Sequence, residues 1–141
     1  MNSSNPYELK RTNVMAEFSI IGDTFSLETI TNELGILPSI TRVKGDKIRN
    51  TDMVHNETCW EWNTGYEESL EVDNQISQII GKFECKLDRL DALKVRFDLE
   101  YKLSVVINVQ NDEKPAIYLS RETVKFISRI ESDFDCDLYI Y

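Results

Sequence analysis

Leu99-Glu100-Tyr101-Lys102-Leu103-Ser104-Val105-Val106-Ile107-Asn108-Val109-Gln110 is the stretch that decides the fold class. Leu99, Tyr101, Leu103, Val105, Ile107 and Val109 alternate without a break against Glu100, Lys102, Ser104, Val106, Asn108 and Gln110, which is the period of a β-strand. The second set is mostly polar. One face of the sheet therefore meets water and the other meets the core, the pattern of a largely antiparallel sheet with helices on one face.

Upstream of that run, Val72, Ile76, Ile79, Ile80 and Phe83 recur at helical spacing and predict a helix over Leu70 to Phe83. Leu87, Leu90 and Leu93 predict another over Lys86 to Arg96. Cys59-Trp60-Glu61-Trp62-Asn63 reads as a short aromatic strand closed by Thr64-Gly65. Val14 to Ile21 alternates as a first strand, and Ser26 and Gly35 bracket a helix over Leu27 to Leu34 as N-cap and terminator. Downstream, Asn111 to Pro115 is a turn cluster, after which Ala116 to Leu119 is expected to pair back as a hairpin strand. Ser120 then caps a helix over Arg121 to Glu131, and Cys136, Leu138 and Ile140 alternate with Asp137, Tyr139 and Tyr141 in a terminal strand. The order βαβααββαβ predicts an α+β, ferredoxin-like sandwich with an extra helix and strand. A flexible N-terminal tail, 1–13, precedes a single domain over 14–141.

The 141 residues carry a net charge of −9, which disfavours nucleic acid, whose phosphates call for clustered Lys and Arg. No apolar run is long enough for a membrane span and the N-terminus lacks the pattern of a signal peptide, so the expected location is the cytoplasm. Cys59, Cys85 and Cys136 lack a C-x-x-C pair and read as reduced thiols rather than as a zinc site. Asp133, Asp135 and Asp137 alternate, but without the glycine and glutamate of an EF-hand they read as a solvated face, and no metal or cofactor is expected. His55 and Cys59 make a conceivable thiol dyad with no accompanying nucleophile motif, so no catalytic residue is assigned.

The charge is uneven. Arg42, Lys44, Lys47 and Arg49 against Asp46 give the segment 42–49 a charge of +3, leaving −12 for the rest of a chain whose total is −9. Arg42, Lys44, Asp46 and Arg49, with Gly45 allowing close approach and Trp60 as a wall, form a candidate site for a small anion. Lys102, Asn108, Tyr139 and Tyr141 decorate the exposed sheet face as a candidate protein interface.

Phe18-Ser19-Ile20-Ile21-Gly22-Asp23, Ile30-Thr31-x-x-Leu34-Gly35-Ile36-x-Pro38-Ser39, Lys44-Gly45-Asp46, Trp60 and Asp135-x-Asp137-Leu138-Tyr139 together resemble a bacterial family catalogued as domain of unknown function 4279. The resemblance covers most of Met15 to Tyr141, with Cys136 where an aliphatic residue is expected. It implies a small bacterial single-domain protein and brings no activity or catalytic residues. Taken with the acidic body, the expected role is a non-catalytic binding module, an antagonist or immunity-type protein docking a basic protein partner. The alternatives are a binder of a small anionic ligand through 42–49 and, behind it, a thiol enzyme.

Overall fold

The computed structural model describes residues 5–141. Along the chain run β1 (Asn13–Gly22), α1 (Leu27–Leu34), β2 (Ile40–Arg42), β3 (Thr58–Asn63), β4 (Glu67–Glu68), α2 (Val72–Phe83), α3 (Leu87–Phe97), β5 (Glu100–Val109), α4 (Arg121–Arg129) and β6 (Ser132–Ile140). The strands form one six-stranded sheet in the order β2-β3-β1-β5-β6, with β4 beside the start of β1. All pairings are antiparallel except β5 with β6, which α4 joins as a parallel crossover. The sheet is mixed but mostly antiparallel, and the fold is α+β.

Alternation places Val14, Ala16, Phe18 and Ile20 of β1, and Tyr101, Leu103, Val105 and Ile107 of β5, on one buried face. Helices cover that face alone. α1, α2 and α4 pack on the sheet, while α3 lies against α1 and sends Leu90 and Leu93 into the same core. The centre of the core is aromatic: Phe18 and Phe83 meet at a tilt of 58° with centroids 4.6 Å apart, and Trp60 meets Phe83 edge-on at 6.3 Å. Trp60 is fully buried, and its indole N–H donates to Thr31 Oγ1 at 3.0 Å, so its one polar atom is satisfied.

The helices begin and end where their chemistry directs. Ser26 Oγ accepts the Thr29 N–H at 3.1 Å to open α1, and Gly35 closes it at φ 67 with its N–H on the Thr31 carbonyl. Ser120 caps α4 in the same way, and Asp73 in the first turn of α2 accepts from both Ser120 N–H and Thr123 Oγ1, tying the two helices together.

Two features differ from the sequence reading. Ala116 to Leu119 is not a hairpin strand: β1 and β6 already occupy both edges of β5, and Ala116 instead exchanges hydrogen bonds with Leu70 and Val72. Asn111 and Asp112, both at positive φ, turn the chain away from β5 toward that site. Two strands went unseen, β2 and β4, because three and two residues are too few to show a period. Of the segment expected as a tail, residues 5–13 lie against the end of β5, where Arg11 pairs with Glu113 at 2.7 Å and Gln110 donates to the Leu9 carbonyl at 3.2 Å. Its first four residues lie outside the described residues.

Phe18 is fully buried whereas Leu138 on the same side of the sheet is 51% exposed. In urea denaturation Phe18→Ala is expected to cost about 3–5 kcal/mol. Leu138→Ala should cost no more than about 0.5 kcal/mol. Equal losses would contradict a core centred on β1 and β5.

Candidate functional site: the open face of the sheet

The residues alternating with the core set point away from the helices and line a groove of about 390 Å³. The register assembles it. Ser19 on β1 sits opposite Glu61 on β3 and Lys102 on β5, Glu17 opposite Ser104, and Ser104 opposite Asp135 on β6. Arg42 comes from β2, and His55 and Glu57 rise at the rim from the connection before β3.

Glu61 is the anomaly in this face, a carboxylate only 2% exposed on the side turned away from the core. Asn63 Nδ2 donates to its Oε2 at 2.9 Å, Ser19 Oγ donates to its Oε1 at 3.5 Å, and the Arg42 guanidinium stands 4.0 Å from Oε1. The Glu17 carboxyl shares this face with Glu61, one outward-facing pair along the register of β1 and β3. Burial first, then the negative charge of Glu61, push the Glu17 pKa up to about 8, with Arg42 pulling the other way. The shift favours the protonated form of Glu17 beside the Glu61 carboxylate.

The Cys59 thiol lies beside this pair. Burial, then the charge of Glu61, push its pKa up, against the opposing pull of Arg42 and of a hydrogen bond with Ser19. Thiol nucleophiles need the opposite shift. On β6, Asp135 takes the Lys102 ammonium at 3.1 Å, which holds the carboxyl below and the ammonium above their ordinary values.

The basic segment does not converge. Arg42 faces the groove, Lys44 pairs with Asp23, and Asp46, Lys47 and Arg49 sit on an exposed hairpin held by Gly45 N–H to His55 C=O and His55 N–H to Asp46 C=O, each at 2.9 Å. Gly45 has φ 90, so its place in the landmark Lys44-Gly45-Asp46 is explained by the turn. Trp60 lies on the opposite side of the sheet from the groove and is no wall for it.

Lys102, Asn108, Tyr139 and Tyr141 do share the open face, as their alternation implied. Asn108 is buried at one end of it, donating to Asn13 Oδ1 at 3.0 Å and accepting from Tyr141 Oη at 3.4 Å. Tyr7 packs edge-on against Tyr141 at 5.8 Å, and burial, then the charge of Glu17, raise the pKa of Tyr66. Glu17 and Glu61 were missed as site residues. Their alternation with core residues marked them as outward-facing, but only the pairing of β1 with β3 brings them together.

The family model described as Domain of unknown function (DUF4279) matches residues 11–141. The chain belongs to this family. No curated protein and no solved structure matches it. The landmarks that carry the resemblance divide between fold and groove. Thr31 and Trp60 are bonded to each other in the core, and a Cβ on Gly22 would meet Leu99 Cδ2 and Phe25 Cδ1 at 2.9 Å each. Ser19, Asp135 and Asp137 instead line the groove.

The carboxyl pair makes a stability prediction. The folded pKa of Glu17, about 8, exceeds the ordinary 4.5, so the folded state holds the proton more tightly than the unfolded chain. The resulting stability is complete below the ordinary value and is lost as pH rises through about 8. Glu17→Gln keeps a donor and cannot ionise. By chemical denaturation it should match the parent near pH 4 and exceed it near pH 9 by roughly 1–3 kcal/mol, scaled down from ~1.4 kcal/mol per pKa unit because water reaches the half-buried carboxyl. The same difference at both pH values would contradict the raised pKa of Glu17.

Proposed function

We propose that this protein is a non-catalytic binding module, of antagonist or immunity type, whose open sheet face docks a basic protein partner. The observation that carries the reading is the make-up of that face: the carboxylates Glu57, Glu61, Asp135 and Asp137 outnumber the cations Arg42 and Lys102 along one groove, and half-exposed Tyr139 and Tyr141 share its side of the sheet. The chain as a whole carries −9, so a basic partner is drawn in at long range as well as held at the groove. Tyrosine supplies rigid contact area with a polar tip, which suits it to protein interfaces.

The anion-binding alternative draws less support from the same geometry. Arg42 is engaged by Glu61 and Lys44 by Asp23, so an incoming anion would have to displace a carboxylate that is already in place. Anion binding at a site is favoured by uncommitted cations that repel one another in its absence.

Affinity capture from a cell extract, with parent protein and with Asp135→Asn/Asp137→Asn as bait, tests the reading. The expected result is a captured protein of high isoelectric point that is released by added salt and is lost with the variant. A partner retained by that variant and lost with Arg42→Ala/Arg49→Ala would overturn it in favour of the basic segment. Stabilisation by free phosphate or sulfate would do the same, a ligand at about a hundred times its Kd raising stability by roughly 2.7 kcal/mol.

A further inference from the structure

β6 is an end strand. β5 pairs with it in parallel over nine residue pairs on one side, and among the described residues no strand lies against the other. Tyr141 donates its N–H to the Val109 carbonyl at 3.0 Å, so the peptide groups of Tyr139, Asp137 and Asp135 turn inward with it. Those of Phe134, Cys136, Leu138 and Ile140 consequently turn outward, because the direction alternates along a strand. Nine residues at roughly 3.3 Å each make this free edge ~30 Å long.

The two edges of the sheet are treated differently. β2 ends its side after three residues, and a short edge offers little to pair with. β6 has no such brevity and no proline or lysine. It carries Asp133, Asp135 and Asp137 toward the open face, and Leu138 and Ile140, 51% and 70% exposed, toward the other. Asp135 is paired with Lys102, whereas Asp133 and Asp137 have no ion-pair partner among the described residues. The aspartates act against a second copy, since β6 set against β6 would bring two rows of like charge together. The exposed Leu138 and Ile140 argue against mere edge protection, because a strand kept soluble for its own sake would not display them.

We infer that the free edge of β6 takes an extended segment of a basic partner as an added strand, with Lys or Arg at alternate positions facing Asp133, Asp135 and Asp137, and apolar residues continuing the row of Leu138 and Ile140. This rests on the acidic face being the docking surface and narrows it to one edge. Main-chain hydrogen bonds supply the affinity of such an added strand, and the alternate side chains select the segment. The Cys136 N–H, held by Asp135 Oδ1 at 3.1 Å, passes to a carbonyl of the added strand.

The probe is a blocked peptide of about seven residues alternating Lys with Val or Thr, the length of a typical strand. Its controls are the same peptide N-methylated at alternate backbone nitrogens and a version with Glu for Lys. With the Lys peptide, amide exchange of Phe134, Leu138 and Ile140 should slow by about tenfold or more, and with neither control. Leu138→Pro removes an outward N–H and no sheet bond, and should abolish the effect while circular dichroism stays native. Should that variant unfold, Asp133→Asn/Asp137→Asn takes its place and should weaken binding several-fold. Equal binding of the N-methylated peptide overturns the edge and leaves the acidic face standing. Equal binding of the Glu peptide overturns both. Binding of none of the three overturns the edge, and capture with Asp135→Asn/Asp137→Asn then decides the wider reading by itself. Protection of the same amides without peptide, growing with protein concentration, overturns the edge proposal in favour of a second copy.

Discussion

The pairing of β1 with β5 governs the rest of the molecule. Nine residue pairs, from Asn13 with Asn108 to Ile21 with Glu100, set two alternating strands in register, so that Val14, Ala16, Phe18 and Ile20 lie beside Ile107, Val105, Leu103 and Tyr101 on the core face. A slip of one residue would turn Phe18 and Leu103 to opposite faces. Because the register holds, the helices have a single continuous apolar surface to cover. The other side of the sheet is left open. What lies there is a consequence of the core pattern, since Glu17, Ser19, Lys102 and Ser104 are the residues between the core ones.

That open side contains a tension which the core does not. Glu61 is almost fully buried without facing the core, and the two groups nearest to neutralising it, Arg42 and the Glu17 proton, act in different ways. Arg42 is a fixed charge at the rim, while the proton on Glu17 is exchangeable. Burying two carboxylates side by side is costly when both are ionised, and sharing one proton relieves most of the cost. In the proposed reading, a cationic group of the partner relieves it as well. The same groups thus bear on stability and, in that reading, on the charge of the partner.

The fold was legible in the sequence where periodicity was long. The run from Leu99 to Gln110, the helical spacing through Phe83 and the caps at Ser26 and Ser120 all marked their elements. Where the outcome depended on competition for an edge, the sequence was silent. Nothing in Ala116 to Leu119 says that β6 has already taken the place beside β5. The same limit applied to the site. The basic residues of 42–49 drew attention because they are close in sequence, yet their hairpin spreads them, and Lys44 turns to Asp23. Glu17 and Glu61 are far apart in sequence and ordinary in composition, and meet only through the pairing of Ser19 with Glu61. Lys102, Asn108, Tyr139 and Tyr141 were assignable to one face because that assignment needed only alternation.

The central claim is that the open face of the sheet, and not the helical side or the basic hairpin, meets the partner. Hydrogen exchange of the whole chain, free and saturated with its captured partner, tests this most directly. The account expects slowed exchange in 100–110 and 132–141, with α3 (Leu87–Phe97) and the hairpin tip over 46–53 unchanged. Slowed exchange confined to α3 or to the hairpin would contradict it.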